Sequence, residues 1–404
     1  MLELFHGPTF AFKDVALQFL GNLFEYFLVR GRIQNRITIL GATSGDTGSA
    51  AIHGLRGKKN VNCFILYPKG KVTEIQERQM TTIPDDNVSC INVEGNFDDC
   101  QAIVKAAFAD PTFRDEVNLG AINSINWARV LAQITYYFYS WLRVTDKGDK
   151  KAAVNFAVPT GNFGDILAGY FAKRMGLPVD KLVVCTNQND VLHRFLQDGQ
   201  MTRLPCEVTI APSMDISVSS NFERYLFFLS GENSATLKSW MDSFESSGKM
   251  EVPKKLLTIA KSEFLSYASD EKLIVRTMTD MWNDEKYLIC PHTATGVAGI
   301  KALKLPGNTT ICLATAHPAK FQEGLDRALK GQKQPPRPPE LEILFSLPIR
   351  SYALPNSLSR VQGFVRNKLG GKGWLSSMVP ILITVAAVAA IGFMVVSNNP
   401  KKFR

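Results

Sequence analysis

RITILGATSGDTGSAAIHGLRG, residues 36–57, passes from an apolar strand through a glycine-rich loop into a helix of small residues. The same device returns at residues 152–176, AAVNFAVPTGNFGDILAGYFAKRMG. Between them lie two more strand patterns, VNCFILYP (61–68) and VSCINVEG (88–95), each followed by a helical stretch (72–83 and 98–110), and then the long apolar helix WARVLAQITYYFYSWLRV (127–144). KLVVCTN (181–187) is a further buried strand. Strands separated by crossover helices predict an α/β protein with largely parallel sheets.

Outward from this core, Met1 enters a strand almost at once. The apolar positions Val15, Phe19, Leu20, Leu23, Phe24, Phe27 and Leu28 fall on helical spacing, which puts Lys13 at or just before a helix start. Residues 221 to about 284 read as mainly helical, and 287–303 and 308–321 as strand, loop and helix. The proline-rich GQKQPPRPPE (331–340) reads as a linker or strap that closes the compact body. No internal repeat is present.

With 404 residues the chain is long enough for two lobes. Its formal charge of +9 is misleading, because residues 330–404 hold eleven of the 46 Lys and Arg but two of the 37 Asp and Glu. Residues 1–329 are therefore formally neutral, which gives no support to a basic nucleic-acid footprint on the body. Seven cysteines stand singly, without zinc-ligand or redox spacing, so neither a metal site nor a disulfide framework is expected; they read as buried reduced thiols. The start lacks a charged leader with an apolar run, so secretion is not expected. Residues 379–396 are nearly all apolar and lie between Lys372 and the terminal KKFR. As a helix they would span about 27 Å, close to a hydrocarbon core of about 30 Å. The expected layout is a cytoplasmic body (1–330), a linker and extension (331–372) and a tail (373–404) anchored by one transmembrane-like helix; a buried core helix is the alternative for that run.

Two loops, Gly41–Gly48 and Pro159–Asp165, follow strands and open helices, where N–H groups converge and the helix dipole favours an anion. Neither has the Walker or dinucleotide spacing. Elsewhere HGPTFAFKDVALQF (6–19) sets a single lysine in an apolar frame. Such a lysine either snorkels outward or gives up its proton for chemistry, and burial favours the neutral amine. Two anion loops with a neutral lysine are what a pyridoxal phosphate enzyme needs.

Seven blocks in order resemble the threonine synthase family, pyridoxal phosphate enzymes of the tryptophan synthase β-like fold (fold type II). They are HGPTFAFKDVALQFLGNLFEYFL, GATSGDTGSAA, TEIQERQMTTI, NSINWARVLAQITYY, PTGNFGDILAGY, PSMDISVSSNFERYLF and TAHPAKF. The resemblance implies Lys13 as the Schiff-base lysine; Gly161, Asn162, Phe163 and Gly164 as the cradle for the cofactor phosphate; and Thr315 as the hydroxyl facing the pyridine nitrogen. It implies Thr43, Ser44, Asp46 and Thr47 as the loop that receives the substrate carboxylate. Asn123 and Arg129 are the choice for the substrate phosphate, since an arginine fork suits a dianion. Arg129 pairing with a surface acid is the rival for that residue. His6, His292 and His317 read as structural, and Asp14 as a helix-start charge.

The implied reaction converts O-phospho-L-homoserine and water to L-threonine and phosphate. One alternative is a pyridoxal phosphate phospho-lyase or Ser/Thr dehydratase that releases a 2-oxo acid. Another is an inactive, membrane-tethered scaffold, since the chain opens at the lysine block where family members carry a preceding segment. No oligomeric state is read from the sequence.

Overall fold

The computed structural model describes residues 1–31, 36–145, 152–305 and 309–370. From the amino end, β1 (Leu2–Glu3) leads to α1 (Lys13–Arg30), which begins at the lysine itself. The chain then alternates β2 (Ile37–Ala42), α2 (Asp46–Leu55), β3 (Val61–Pro68), α3 (Glu74–Thr81), β4 (Val88–Val93), α4 (Phe97–Ala109), β5 (Leu119–Gly120) and α5 (Trp127–Val144). A second alternation gives β6 (Val154–Pro159), α6 (Gly164–Arg174) and β7 (Val179–Thr186). After a small antiparallel pair, β8 (Gln200–Thr202) with β9 (Lys249–Glu251), come β10 (Phe264–Ala268), α7 (Pro291–Leu303), β11 (Thr309–Ala314), β12 (Tyr352–Leu354) and α8 (Leu358–Gly370).

Two five-stranded sheets form the two lobes, in the orders β12-β4-β3-β2-β5 and β1-β11-β6-β7-β10, and every pairing in both is parallel. A parallel sheet carries helices on both faces, so its strands are apolar runs rather than alternations. All six residues of β6 are buried, as are seven of the eight in β3. The two anion loops of the sequence stand at the carboxyl ends of β2 and β6, one in each lobe. Phe12 N–H donates to Thr315 O at 2.8 Å just past β11, which draws the start of α1 to the same end of the second sheet.

Three expectations differ from the structure. The mainly helical region 221–284 contains β10, which follows helix Lys254–Glu263 directly and pairs with β7; its Phe264 packs 5.5 Å from the ring of Phe163. Residues 287–290 join no sheet among the described residues, because the place beside β11 is filled by β1. They lead into α7, where Thr293 N–H is capped by Cys290 Sγ at 3.4 Å. The strap at 331–340 does not end the packed body either. Beyond it β12 adds an edge strand to β4, and Val361 and Val365 of α8 are fully buried beside Phe64 and Ile103. Of the cysteines, Cys206 is exposed and the other six are buried and unbridged. Residues 379–396 lie outside the described residues; among those described, no helix is long and apolar enough to cross a membrane.

One contact sets how the site is assembled. Helices α1 and α2 cross at Gly21 and Gly54 with no side chain between them. A Cβ at Gly21 would lie 1.9 Å from Gly54 O, and one at Gly54 would lie 2.3 Å from Leu17 O. The obstacles are backbone atoms, which cannot swing aside as a rotamer does. Gly54→Ala is therefore expected to lower stability by roughly 1–3 kcal/mol, read as a fall in the urea midpoint. An unchanged midpoint would show that the two helices can part at no cost.

Candidate active site

The loop after β2 is shaped by its own polar groups. Thr43 Oγ1 accepts from Gly45 N–H (2.9 Å) and Gly48 N–H (2.8 Å), closing the turn onto the start of α2. Gly45 has φ +138°, and a Cβ there would strike the Gln76 side chain at 2.3 Å, so only glycine fits. Thr43 is thereby spent on structure, whereas the hydroxyls of Ser44 and Thr47 have no protein partner among the described residues.

At the end of β6, Thr160 N–H donates to Cys185 O (2.7 Å) and the chain turns through 161–163 into α6. Phe163 adopts φ +59°, a left-handed conformation that disfavours a bulky side chain by about 1 kcal/mol. Its ring is buried against Phe222 (5.0 Å) and Phe264 (5.5 Å), which holds the turn. None of the N–H groups of 161–164 has a protein acceptor among the described residues. They crown an eleven-residue helix, an arrangement that receives an anion. Asn221 Nδ2 bridges Asn162 O (3.0 Å) and Ser124 O (3.1 Å), tying this loop to the turn ahead of α5. Below it, Asp165 accepts from the hydroxyls of Tyr136 (2.6 Å) and Tyr137 (2.8 Å), pinning α6 to α5. Burial pushes the Asp165 carboxyl up to about 6 against those two bonds.

Lys13 stands at the first turn of α1, and 13% of its side chain is exposed. The turn before it is locked by Asp14, which accepts from Thr9 N–H (2.8 Å) and Thr9 Oγ1 (2.5 Å). Asp14 is thus a buried capping group rather than a free helix-start charge. Burial lowers the pKa of the Lys13 amine to about 8, opposed by Asp46 and assisted by the positive charges of Arg129 and Lys320.

Asp46 is the hub. Its Oδ1 receives Lys320 Nζ at 2.7 Å and Gln76 Nε2 at 3.0 Å; its Oδ2 receives Ser213 Oγ at 3.3 Å and lies 3.9 Å from Lys13 Nζ. Burial alone would raise this carboxyl, but the Lys320 and Lys13 ammoniums hold it well below the usual carboxylate range. An ionised Asp46 repels another carboxylate, so the side chains within 43–47 left free to donate to an anion are the hydroxyls of Ser44 and Thr47. Ser213 N–H in turn donates to His292 Nε2 (3.0 Å), and burial lowers the His292 pKa to about 4, leaving a neutral ring that can accept. His317 Nδ1 caps a turn by accepting from Ala319 N–H (3.2 Å), and His6 sits at the surface on Glu3.

Thr315 is buried; its backbone is engaged by Thr293 and Phe12, while its hydroxyl has no protein partner among the described residues. Arg129 is buried too, at 3% exposure. Its Nη1 donates to Ile122 O at 3.0 Å, its Nε has no acceptor, and no carboxylate pairs with it among the described residues. The rival reading of a surface ion pair therefore fails. Asn123 follows Ile122 and is exposed, so it shares the turn of Arg129 but not its burial.

Sequence reasoning passed over Lys320, Gln76 and Ser213. The first had the signal that drew attention to Lys13: it is the lone charged residue between Lys304 and Glu323. Gln76 and Ser213 carried none, since a glutamine on a helix and a serine in a loop are ordinary.

Against known proteins, the family described as "Pyridoxal-phosphate dependent enzyme" matches residues 1–316, and "Threonine synthase, C-terminal" matches residues 293–365. The threonine synthase of Saccharomyces cerevisiae is 51% identical over 355 residues, covering 82% of this chain and 69% of that protein. That of Pseudomonas aeruginosa is 48% identical over 378 residues, covering 92% and 78%. Among solved structures, the PLP-bound threonine synthase of Brucella melitensis superposes with a TM-score of 0.86 at 44% identity, covering 91% of this chain and 77% of that one.

The buried guanidinium without a counter-ion generates a test that needs no substrate. Burial lowers the Arg129 pKa to about 10, equivalent to a penalty on the order of 3 kcal/mol, partly offset by the bond to Ile122 O. Arg129→Met is expected to make the ligand-free chain roughly 1–2 kcal/mol more stable to urea and to weaken stabilisation by added inorganic phosphate. A less stable variant with unaltered response to phosphate would make Arg129 a purely structural residue.

Proposed function

Because this chain belongs to the threonine synthase family of pyridoxal-phosphate-dependent enzymes, we propose that Lys13 carries the cofactor, that residues 161–164 hold its phosphate and that Thr315 faces its ring nitrogen. The chain is a lyase of threonine biosynthesis, converting O-phospho-L-homoserine and water to L-threonine and phosphate with pyridoxal phosphate. Its residues fit that cofactor. A poorly basic amine, four N–H groups without acceptors and a hydroxyl without a partner answer the aldehyde, the phosphate and the ring nitrogen in turn. At Gly161 a Cβ would come within 3.0 Å of Ser213 O, so that wall of the cradle leaves no room for a side chain.

When bound, pyridoxal phosphate takes up the electrons left by breaking a C–H bond next to the amino group. Everything else falls to the side chains. Lys13 Nζ, with its pKa near 8, can hold and release a proton around neutral pH, so it takes protons from Cα and Cβ and returns them at Cγ and Cα. Ser44 and Thr47 orient the substrate carboxylate, and Arg129, with Asn123 from the exposed turn ahead of α5, meets the phosphate that leaves Cγ. As charge grows on that phosphate the guanidinium pairs more strongly, which is where it lowers the barrier. Water supplies the hydroxyl at Cβ, and its remaining proton ends on the released phosphate.

The observation that carries this assignment is the setting of Lys13: a nearly buried amine of reduced basicity beside a buried arginine that has no counter-ion among the described residues. Purified chain loaded with cofactor is expected to show a visible absorption band that Lys13→Ala loses, with turnover falling by roughly 10²–10⁴-fold and threonine appearing one for one with phosphate. A band that survives in Lys13→Ala would overturn the assignment, and a 2-oxo acid in place of threonine would make the enzyme an eliminating phospho-lyase or dehydratase.

We propose separately that residues 379–396 attach the chain to a membrane, a reading supported by their apolar composition. Full-length chain is expected in alkali-washed membranes and a chain ended at residue 370 in the supernatant; full-length chain found in the supernatant alone would sink the anchor.

A further inference from the structure

The buried lysine that the sequence reading passed over has no part in the assignments above. The Lys320 side chain is fully enclosed, and its ammonium has two partners, Asp46 Oδ1 and Thr9 O, each at 2.7 Å. Gln79 Nε2 also donates to Thr9 O, at 3.0 Å. Full burial of a lysine is expensive unless its charge is matched, and here one carboxylate matches it. That carboxylate is also the acid closest to Lys13, yet Lys13 Nζ stands at 3.9 Å, beyond hydrogen-bond reach. Four other segments thus meet at this one carboxylate of α2: the head of α1 with Lys13, α3 with Gln76, the turn holding Ser213 and the turn Pro318–Lys320 after β11.

We propose that Lys320 is a positioning residue for Lys13: by gripping Asp46 through Oδ1 it holds the carboxylate where Oδ2 stays 3.9 Å from Lys13 Nζ, beyond hydrogen-bond reach, so that Lys13 is free to shed its proton. The inference rests on the reading of Lys13 as the cofactor lysine. An ammonium has no lone pair, so it can neither attack an aldehyde nor accept a proton from substrate. If Asp46 paired closely with Lys13 it would hold the proton in place.

The charged and titratable groups facing Lys13 are few. They are Asp46 from α2, Arg129 from α5, Lys320 from the turn after β11, Asp14 from its own helix and the neutral His292 from α7. Arg129 and Lys320 disfavour the ammonium, Asp46 and Asp14 favour it, and burial tips the balance toward the neutral amine. Lys320 acts on this balance twice, by its own charge and by its hold on Asp46. The second route separates a positioning role from simple repulsion.

The test reads Lys13 directly in the full-length chain freed of cofactor. Acylation by acetic anhydride is followed across pH, and the Lys13 peptide is quantified by mass spectrometry. The midpoint for Lys320→Met is expected to rise by a pH unit or more, and that for Lys320→Arg to stay near the unmutated value. Asp46→Asn is expected to lower it. In the Asp46→Asn background, adding Lys320→Met should move the midpoint by less than half of what it does alone, because the route through the carboxylate is gone. Circular dichroism of each variant checks folding. If Lys320→Met does not accumulate as folded chain, Asp46→Asn decides alone: a midpoint that fails to fall overturns the proposal. So does a Lys320→Met midpoint that stays put or drops, or an undiminished shift in the double variant. The visible band in Lys13→Ala tests the underlying cofactor assignment independently, so the two failures cannot be confused.

Discussion

One carboxylate organises this end of the molecule. Asp46 sits at the head of α2, sealed from water, and two lysines, a glutamine and a serine from four other segments converge on it. An ionised group in that position is tolerable only because it is paired and hydrogen-bonded on both oxygens. The constraint runs both ways: Lys320 can be buried because Asp46 is there, and Asp46 can stay ionised because Lys320 is. Both lobes contribute to the arrangement. Gln76 and Asp46 come from the lobe of β2 and β3, while Ser213, Lys320 and His292 come from the segments around β6 and β11.

Around that centre the two glycine loops differ in how they reach their shape. The loop after β2 is closed by the Thr43 hydroxyl and a glycine that no other residue could replace. The loop after β6 uses a phenylalanine in a left-handed conformation, held by the rings around it. The first leaves hydroxyls unclaimed and the second leaves backbone donors unclaimed, which suits the two to different anions.

Much of this was legible in the sequence because parallel sheets write themselves plainly. Short continuous apolar runs such as 61–68 and 154–159, rich in β-branched and aromatic residues and bounded by turn signals, read as strands covered on both faces, and glycine loops after strands marked the carboxyl ends where sites form. The apolar frame of Lys13 was legible for the same reason. What escaped was whatever depends on neighbours distant in sequence. β10 follows a helix without a break, and its five residues become a strand only because β7 offers an edge. Residues 287–290 have the composition of a strand, but the place beside β11 is taken by β1. Lys320 stands alone in charge between Lys304 and Glu323, and its counter-ion, Asp46, is set beside it only by the fold. Asn123 and Arg129, six residues apart, looked equivalent, and the turn before α5 exposes one and encloses the other.

The aromatic clamp on Phe163 bears on timing. A loop whose unfavourable dihedral is held by a packed cluster, rather than by a ligand, keeps its form whether or not anything is bound. Its four donors are then aligned in advance, and little conformational entropy remains to be lost when a phosphate arrives. Entry of an anion into this loop should accordingly be limited by encounter and by shedding of water rather than by a slow rearrangement of the chain.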